Sequence, residues 1–198
     1  VTSALGGSAG AAPTGPAAGG TVHTDDGMLP AAQWPGDVEH WKPHKINQAN
    51  VENVAVMEVN CVPVTKGIQS RKHVAFESYF DDSRKLQVYQ DVFTFADSQA
   101  AADFLVQARA TVSPKTCPEA VGTVVVAQGV STADGVSWVT DLPPERLPGL
   151  PGYHSHGYLV QVDDRVALLQ VGQEGADTYQ GTTGDETVLR NLEAALSR

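Results

Sequence analysis

From residue 74 onward the chain alternates. Val74, Phe76, Ser78 and Phe80 step along one side of a strand, Asp81-Asp82-Ser83 supplies turn residues, and Leu86, Val88 and the run Val92 to Phe95 make a second, longer strand. The period then changes from two to about three and a half: Ala101, Phe104, Leu105 and Ala108 fall on one helical face, capped by Asp97 or Ser98 and stopped before Pro114. Two further strands are predicted at Thr123 to Gln128 and Gly135 to Asp141, joined through Ser131 to Asp134. A Pro-rich loop follows from Pro143 to Pro151. Tyr158 to Val162 and Val166 to Val171 flank Asp163-Asp164, with β-branched and aliphatic side chains on both arms of a hairpin. After a polar, Gly-rich loop from Gly172 to Gly184, a last helix opens at Asp185 with acids in its first turn and buries Val188, Leu192, Ala195 and Leu196.

The segment from Ile46 to Val59 fits either a strand or a short helix and receives no assignment. Upstream, Met28-Leu29-Pro30 through Trp41-Lys42-Pro43 is rich in Trp and Pro, a composition that lays an extended strap with large apolar anchors. Trp34 and Trp41 are the residues expected to pack onto the domain. From Val1 to Val22, 19 of 22 residues are Gly, Ala, Ser, Thr or Pro and none is charged, so the stretch has little to bury. Residues 1–26 therefore read as a flexible tether and 27–198 as one domain. With strands arriving mostly as consecutive hairpin-like pairs, the economical fold is α+β: an antiparallel β-sheet with two main helices packed on one face.

Composition narrows the function. With 198 residues, 41% hydrophobic and 18% charged, the chain is globular. A net charge of -10 repels phosphate backbones and argues against nucleic acid as a partner. No apolar run approaches the roughly 20 residues that a membrane-spanning helix needs, so the chain as given is expected to be soluble; a lipid anchor upstream of Val1 stays open. Its two cysteines are two buried thiols or one Cys61–Cys117 disulfide, and the bridge is the favoured reading. It would close a loop of about 56 residues, contribute on the order of 4 kcal/mol in the chain-entropy model and imply an oxidising, extracytoplasmic compartment.

The order of features from Cys61 onward resembles the PknH-like extracellular sensor domains of actinobacterial receptor Ser/Thr kinases and their free-standing lipoprotein relatives. Four stretches carry the resemblance. They are the Cys61 segment before a strand pair, Val92-Phe93-Thr94-Phe95 leading into the Ala-rich helix from Ser98, Cys117 just after that helix, and the closing hairpin with its terminal helix. Met28-Leu29-Pro30 and Trp41-Lys42-Pro43 look like the family's opening. The resemblance implies a central antiparallel sheet, helices packed on it, a cleft for an unknown ligand and no enzyme activity. Kinase-linked members often have a second disulfide, which two cysteines cannot supply, and this favours the lipoprotein-like branch.

Candidate chemistry is sparse. His154 and His156 alternate along one strand face, where both imidazoles could reach one ion. They motivate the alternative reading, an exported metal-dependent hydrolase. Trp41 and His44, with Tyr153 and Tyr158, are candidates to line a groove for a sugar or peptide. Asp81-Asp82 and Asp163-Asp164 are turn formers, since adjacent carboxylates cannot face each other across a bound sugar. No dinucleotide fingerprint, phosphate loop or H-E-x-x-H motif is present, and no cofactor is implied. The preferred function is a non-catalytic, extracytoplasmic domain of a cell-envelope lipoprotein that binds a small ligand or an envelope protein. Its candidate contacts are Trp41, His44, Tyr153, His154, His156 and Tyr158.

Overall fold

The computed structural model describes residues 27–30, 33–35, 45–51, 57–59, 62–64, 67–81, 84–112, 124–142, 152–174 and 184–198. Among them are the strands β1 (Lys45–Val51), β2 (Met57–Val59), β3 (Val62–Val64), β4 (Ile68–Asp81) and β5 (Arg84–Phe95), followed by the helix α1 (Ser98–Thr111). Then come β6 (Val124–Ser131), β7 (Gly135–Leu142), β8 (Tyr153–Val162), β9 (Arg165–Glu174) and the helix α2 (Asp185–Leu196). Seven strands form one sheet in the order β1-β4-β5-β9-β8-β7-β6, while β2 and β3 pair separately. Every neighbouring pair in the large sheet is antiparallel. The unassigned segment thus supplies β1 and β2, and the expected hairpins all form. Cys61, Cys117, Trp41, His44 and the proposed tether lie outside the described residues.

Strands β8 and β9 turn at Asp163-Asp164, with Asp163 at φ 52°. Aspartate tolerates this left-handed conformation better than most residues, and a two-residue hairpin needs it for its twist to match the strands. Helix α1 is capped by the Asp97 carboxylate, which accepts from the Ala100 backbone N–H at 2.8 Å. At its other end Arg109 donates to the carbonyls of Thr132 and Ala133 at the β6–β7 turn, tying the helix to the far edge of the sheet. Arg165 plays the corresponding part for α2, donating to the Leu196 carbonyl at 2.9 Å.

The two helices cover opposite faces of the sheet, which corrects the expectation that both pack on one. Tyr158 and Val160 of β8, Ala167, Leu169 and Val171 of β9, and Val88 and Val92 of β5 pack with Val188, Leu189, Leu192, Ala195 and Leu196 of α2. The intervening residues, Leu159, Val166, Leu168, Phe93 and Phe95, pack with Ala101, Phe104, Leu105 and Ala108 of α1. Successive residues of a strand point to opposite sides, so the two cores lie on either side of the sheet. The physical reason is the unbroken apolar run in the hairpin: Tyr158-Leu159-Val160 and Val166-Ala167-Leu168-Leu169 leave no polar face for water. Such a run marks a strand buried on both sides. Met28, Leu29 and Trp34 extend the α2-side core, and the Trp34 indole N–H donates to the Leu29 carbonyl at 3.1 Å. Trp34 is therefore the anchor expected of it.

On the α1 side, Trp138 of β7 is fully buried and lies flat over the cross-strand Gly157 of β8. A Cβ at Gly157 would overlap the indole ring. Replacing Gly by Ala inside a strand normally gains about 0.5–1 kcal/mol. Here overpacking should reverse the sign, and Gly157→Ala is expected to destabilise the domain by about 2 kcal/mol. Urea unfolding monitored by tryptophan fluorescence checks this; an unchanged or higher midpoint would contradict the packing described.

Candidate functional site

Most buried positions of β5, β7, β8 and β9 are apolar, so the polar residues buried among or beside them mark places where the fold accepts a desolvation cost. They form two principal clusters, one on each face. The first lies beneath α2. Its centre is Asp185, the first residue of that helix, which is buried together with Ser137 and His156. Ser137 Oγ donates to Asp185 Oδ2 at 2.5 Å, His156 Nε2 to the same oxygen at 3.0 Å, and Tyr158 Oη to Oδ1 at 3.3 Å. A carboxylate only accepts, so His156 presents Nε2–H. Its ring stacks on Tyr158 with centroids 4.5 Å apart. The Val130 backbone N–H completes the chain by donating to Ser137 Oγ at 2.9 Å. Gly129 makes the approach possible, since a Cβ there would overlap both Ser137 Oγ and Asp185 Oδ2.

This cluster contains a serine, a histidine and an aspartate, but not in the order that nucleophilic catalysis requires. Both the hydroxyl and the imidazole donate to the carboxylate, so the histidine is not placed to take the serine's proton. The arrangement fastens the start of α2 to β7 and β8. Helix α2 has Gly184 at its N-cap and no side-chain cap. Asp185 turns its carboxylate into the sheet while its charge stays at the positive end of the helix dipole.

His154, His156 and Tyr158 do share one face of β8, as alternation requires. His154 is half-buried, whereas His156 and Tyr158 are 0% and 1% exposed and directed at Asp185. Tyr153 begins β8 opposite Leu142 and Glu174. Among the described residues no group of three or more His, Cys, Asp or Glu is arranged to hold a metal ion.

The second cluster, on the α1 side, was not singled out from the sequence. Arg71 and His73 on β4 stand directly across from Phe93 and Asp91 on β5. Arg71 Nε donates to Asp91 Oδ1 at 2.6 Å, and His73 Nδ1 lies 2.7 Å from the same oxygen. Arg71 NH2 is also 3.2 Å from His73 Nδ1. One nitrogen cannot donate to the carboxylate and accept from the guanidinium at once. Because Asp91 Oδ1 only accepts, Nδ1 carries the proton, and in the neutral ring Nε2 is left as an acceptor. The guanidinium rests over the Phe93 ring, 5.8 Å from its centroid. Tyr89, next along β5, holds its ring nearly parallel to His73, 18° apart in plane with centroids separated by 6.2 Å.

Exposure separates this cluster from the first. Asp91 and Arg71 are 2% and 8% exposed, His73 rises to 21%, and Tyr89 is half-buried. The ion pair is thus seated at the margin of the α1-side core while the imidazole reaches the surface. Among the described residues nothing donates to His73 Nε2 and no hydroxyl or thiol lies in hydrogen-bond contact with it. A signal for this cluster existed in the sequence: Asp91 places a charge directly before the apolar Val92-Phe93 of the second long strand, and a charge there calls for a cation nearby.

No family model matches the chain, and no curated protein does. Among solved structures, the extracellular domain of PknH from Mycobacterium tuberculosis superimposes with a TM-score of 0.50 at 12% sequence identity, covering 86% of this chain and 95% of that one. The chain has a PknH-like sensor-domain fold. At that identity the PknH likeness speaks for architecture. Among the described residues no helix is long and apolar enough to cross a membrane.

The Asp185 cluster yields a graded prediction. Asp185→Ala leaves Ser137, His156 and Tyr158 buried without their common acceptor and should cost about 3 kcal/mol. Tyr158→Phe, which removes only the long 3.3 Å contact, should cost about 1 kcal/mol or less. Chemical denaturation of both variants tests the order, and equal losses would show that Asp185 is not the hub.

Proposed function

We propose that this chain is a non-catalytic, extracytoplasmic binding domain of the sensor type, held at the cell envelope as a lipoprotein and clasped by a Cys61–Cys117 disulfide. The observation that carries the reading is the likeness to the PknH extracellular domain over 86% of the chain. The acidic charge of -10 and the single pair of cysteines agree with it. The Arg71–His73–Asp91 cluster with Tyr89 is the binding site in this proposal. It combines a fixed donor fork, an oriented imidazole and a partly exposed aromatic ring on two paired strands, so its geometry is set before any ligand arrives.

Thermal unfolding of the full chain in the presence of fractionated cell-envelope extract tests the function. A ligand well above its dissociation constant should raise the transition by about 5 °C, and His73→Phe should cut that rise by about half, as a roughly tenfold loss of affinity requires, while leaving the unliganded transition nearly unchanged. If no fraction moves the transition, the binding-domain reading fails.

The disulfide is tested separately by alkylating the unreduced protein, purified from an oxidising host, and measuring its mass. No alkylated cysteine is expected. Two alkylated cysteines would remove both the bridge and the compartment inferred from it.

A further inference from the structure

We propose that the Arg71–His73–Asp91–Tyr89 site recognises a neutral, hydroxyl-rich ligand of the carbohydrate class. The inference rests on the reading of the chain as a binding domain and names the chemistry that its site accepts.

Charge comes first. The Arg71 guanidinium is already matched by Asp91 at 2.6 Å, so the cluster has no spare positive charge to hold a phosphate or a carboxylate. The chain's overall -10 repels anions further. A cationic ligand would meet the guanidinium directly and find the Asp91 carboxylate nearly buried. A neutral ligand meets neither obstacle.

Hydrogen bonding comes next. With Nδ1–H committed to Asp91, the His73 Nε2 lone pair is left as an acceptor on a partly exposed ring. Arg71 uses Nε on Asp91 and packs NH2 against His73, which leaves its NH1 hydrogens without a protein acceptor among the described residues. An acceptor and a donor side by side suit neighbouring hydroxyl groups, one donating to Nε2 and the next accepting from the guanidinium. A vicinal diol presents that pair.

Shape is the third constraint. The His73 and Tyr89 rings are 18° from parallel at a centroid separation of 6.2 Å, too far apart for direct face-to-face contact, so they lie offset as two neighbouring ring surfaces. Each is partly exposed. A pyranose has a face of C–H groups to lay on aromatic rings and a rim of hydroxyls for the polar groups beside them, so one molecule satisfies both demands.

The test uses the full chain, labelled with nitrogen-15, and two neutral trisaccharides with opposite linkage stereochemistry, maltotriose and triacetylchitotriose. Imidazole proton–nitrogen correlation spectra follow His73 as each is added to millimolar concentration. At least one trisaccharide should shift the His73 resonances saturably. His73→Phe keeps a flat ring but removes both nitrogens, and it should weaken binding about tenfold, the equivalent of one lost hydrogen bond. Tyr89→Leu should weaken it comparably by removing the second ring surface. Val106→Ser, on the outer side of α1 at 64% exposure, should change nothing. The melting transition of each variant confirms that it is folded.

If neither trisaccharide shifts His73 while an envelope fraction still raises the transition in a His73-dependent way, the carbohydrate class is overturned and the site stands. A trisaccharide that shifts only distant resonances, with His73→Phe binding it as well as the parent, overturns the assignment to this cluster and leaves the binding-domain reading intact. Absence of any response to trisaccharides and envelope fractions alike overturns both.

Discussion

The architecture depends on the burial of β5, β9 and β8 on both faces. A strand pair covered on one side only is satisfied by a single helix. Here Phe93, Phe95, Val166, Leu168 and Leu159 need cover on one side, and Val88, Val92, Ala167, Leu169, Val171, Tyr158 and Val160 need it on the other. Each fully buried Leu, Val or Phe contributes about 1.5–3 kcal/mol relative to exposure. Neither helix is therefore dispensable, and each follows directly in sequence the strand half whose face it covers or borders. The arginines confirm how closely the layers are joined: Arg109 fastens α1 to the β6–β7 turn, and Arg165 fastens the end of α2 to the β8–β9 turn.

Two-sided burial also decides where polar groups are tolerated. At central positions a polar side chain must be fully partnered, because water cannot substitute for a missing partner. Ser137, Tyr158, Asp185 and His156 through its Nε2 find partners among themselves, and Thr140 and Ser155 share one 2.5 Å hydrogen bond on the other face. Arg71 and His73 lie one strand further out, on β4, and reach back to Asp91 on β5. Their ion pair is still almost buried, yet the imidazole is not. Buried ion pairs are weak sources of stability, since desolvation offsets most of the Coulomb attraction. An apolar trio at positions 71, 73 and 91 would serve the core as well, so stability alone does not explain the charge at this margin.

Hairpin positions, both helices and the anchoring Trp34 were legible because each is written locally: period-two and helical spacing, an Asp N-cap, and turn residues at 163 and 164. The sidedness of the helices was equally present in the runs at 158–160 and 166–169, but it required reading both residue parities as buried. The site was legible only in part. His154 and His156 stand out through spacing, and spacing shows that they share a face without showing that the face is closed by α2. His73 carries no such local mark. Its partner Asp91 is 18 residues away and opposite it only through the β4–β5 register, a long-range fact that no short motif encodes. Strand β8 begins at Tyr153, five residues before the apolar run, for a related reason: its polar start pairs with β7 and β9 on both sides.

Where the site sits bears on how it binds. Loops that order around a ligand lose conformational entropy, about 0.5–1.5 kcal/mol for each immobilised flexible side chain. Arg71 and His73 are fixed by Asp91, Phe93 and Tyr89 before a ligand arrives, and their backbones are paired on both sides within the sheet, by β1 and β5. Most of that cost has already been met in folding. A ligand offering only a few neutral hydrogen bonds and a stacked face, each contributing on the order of 1 kcal/mol, would therefore keep more of that gain as net affinity here than at a loop that has to order around it.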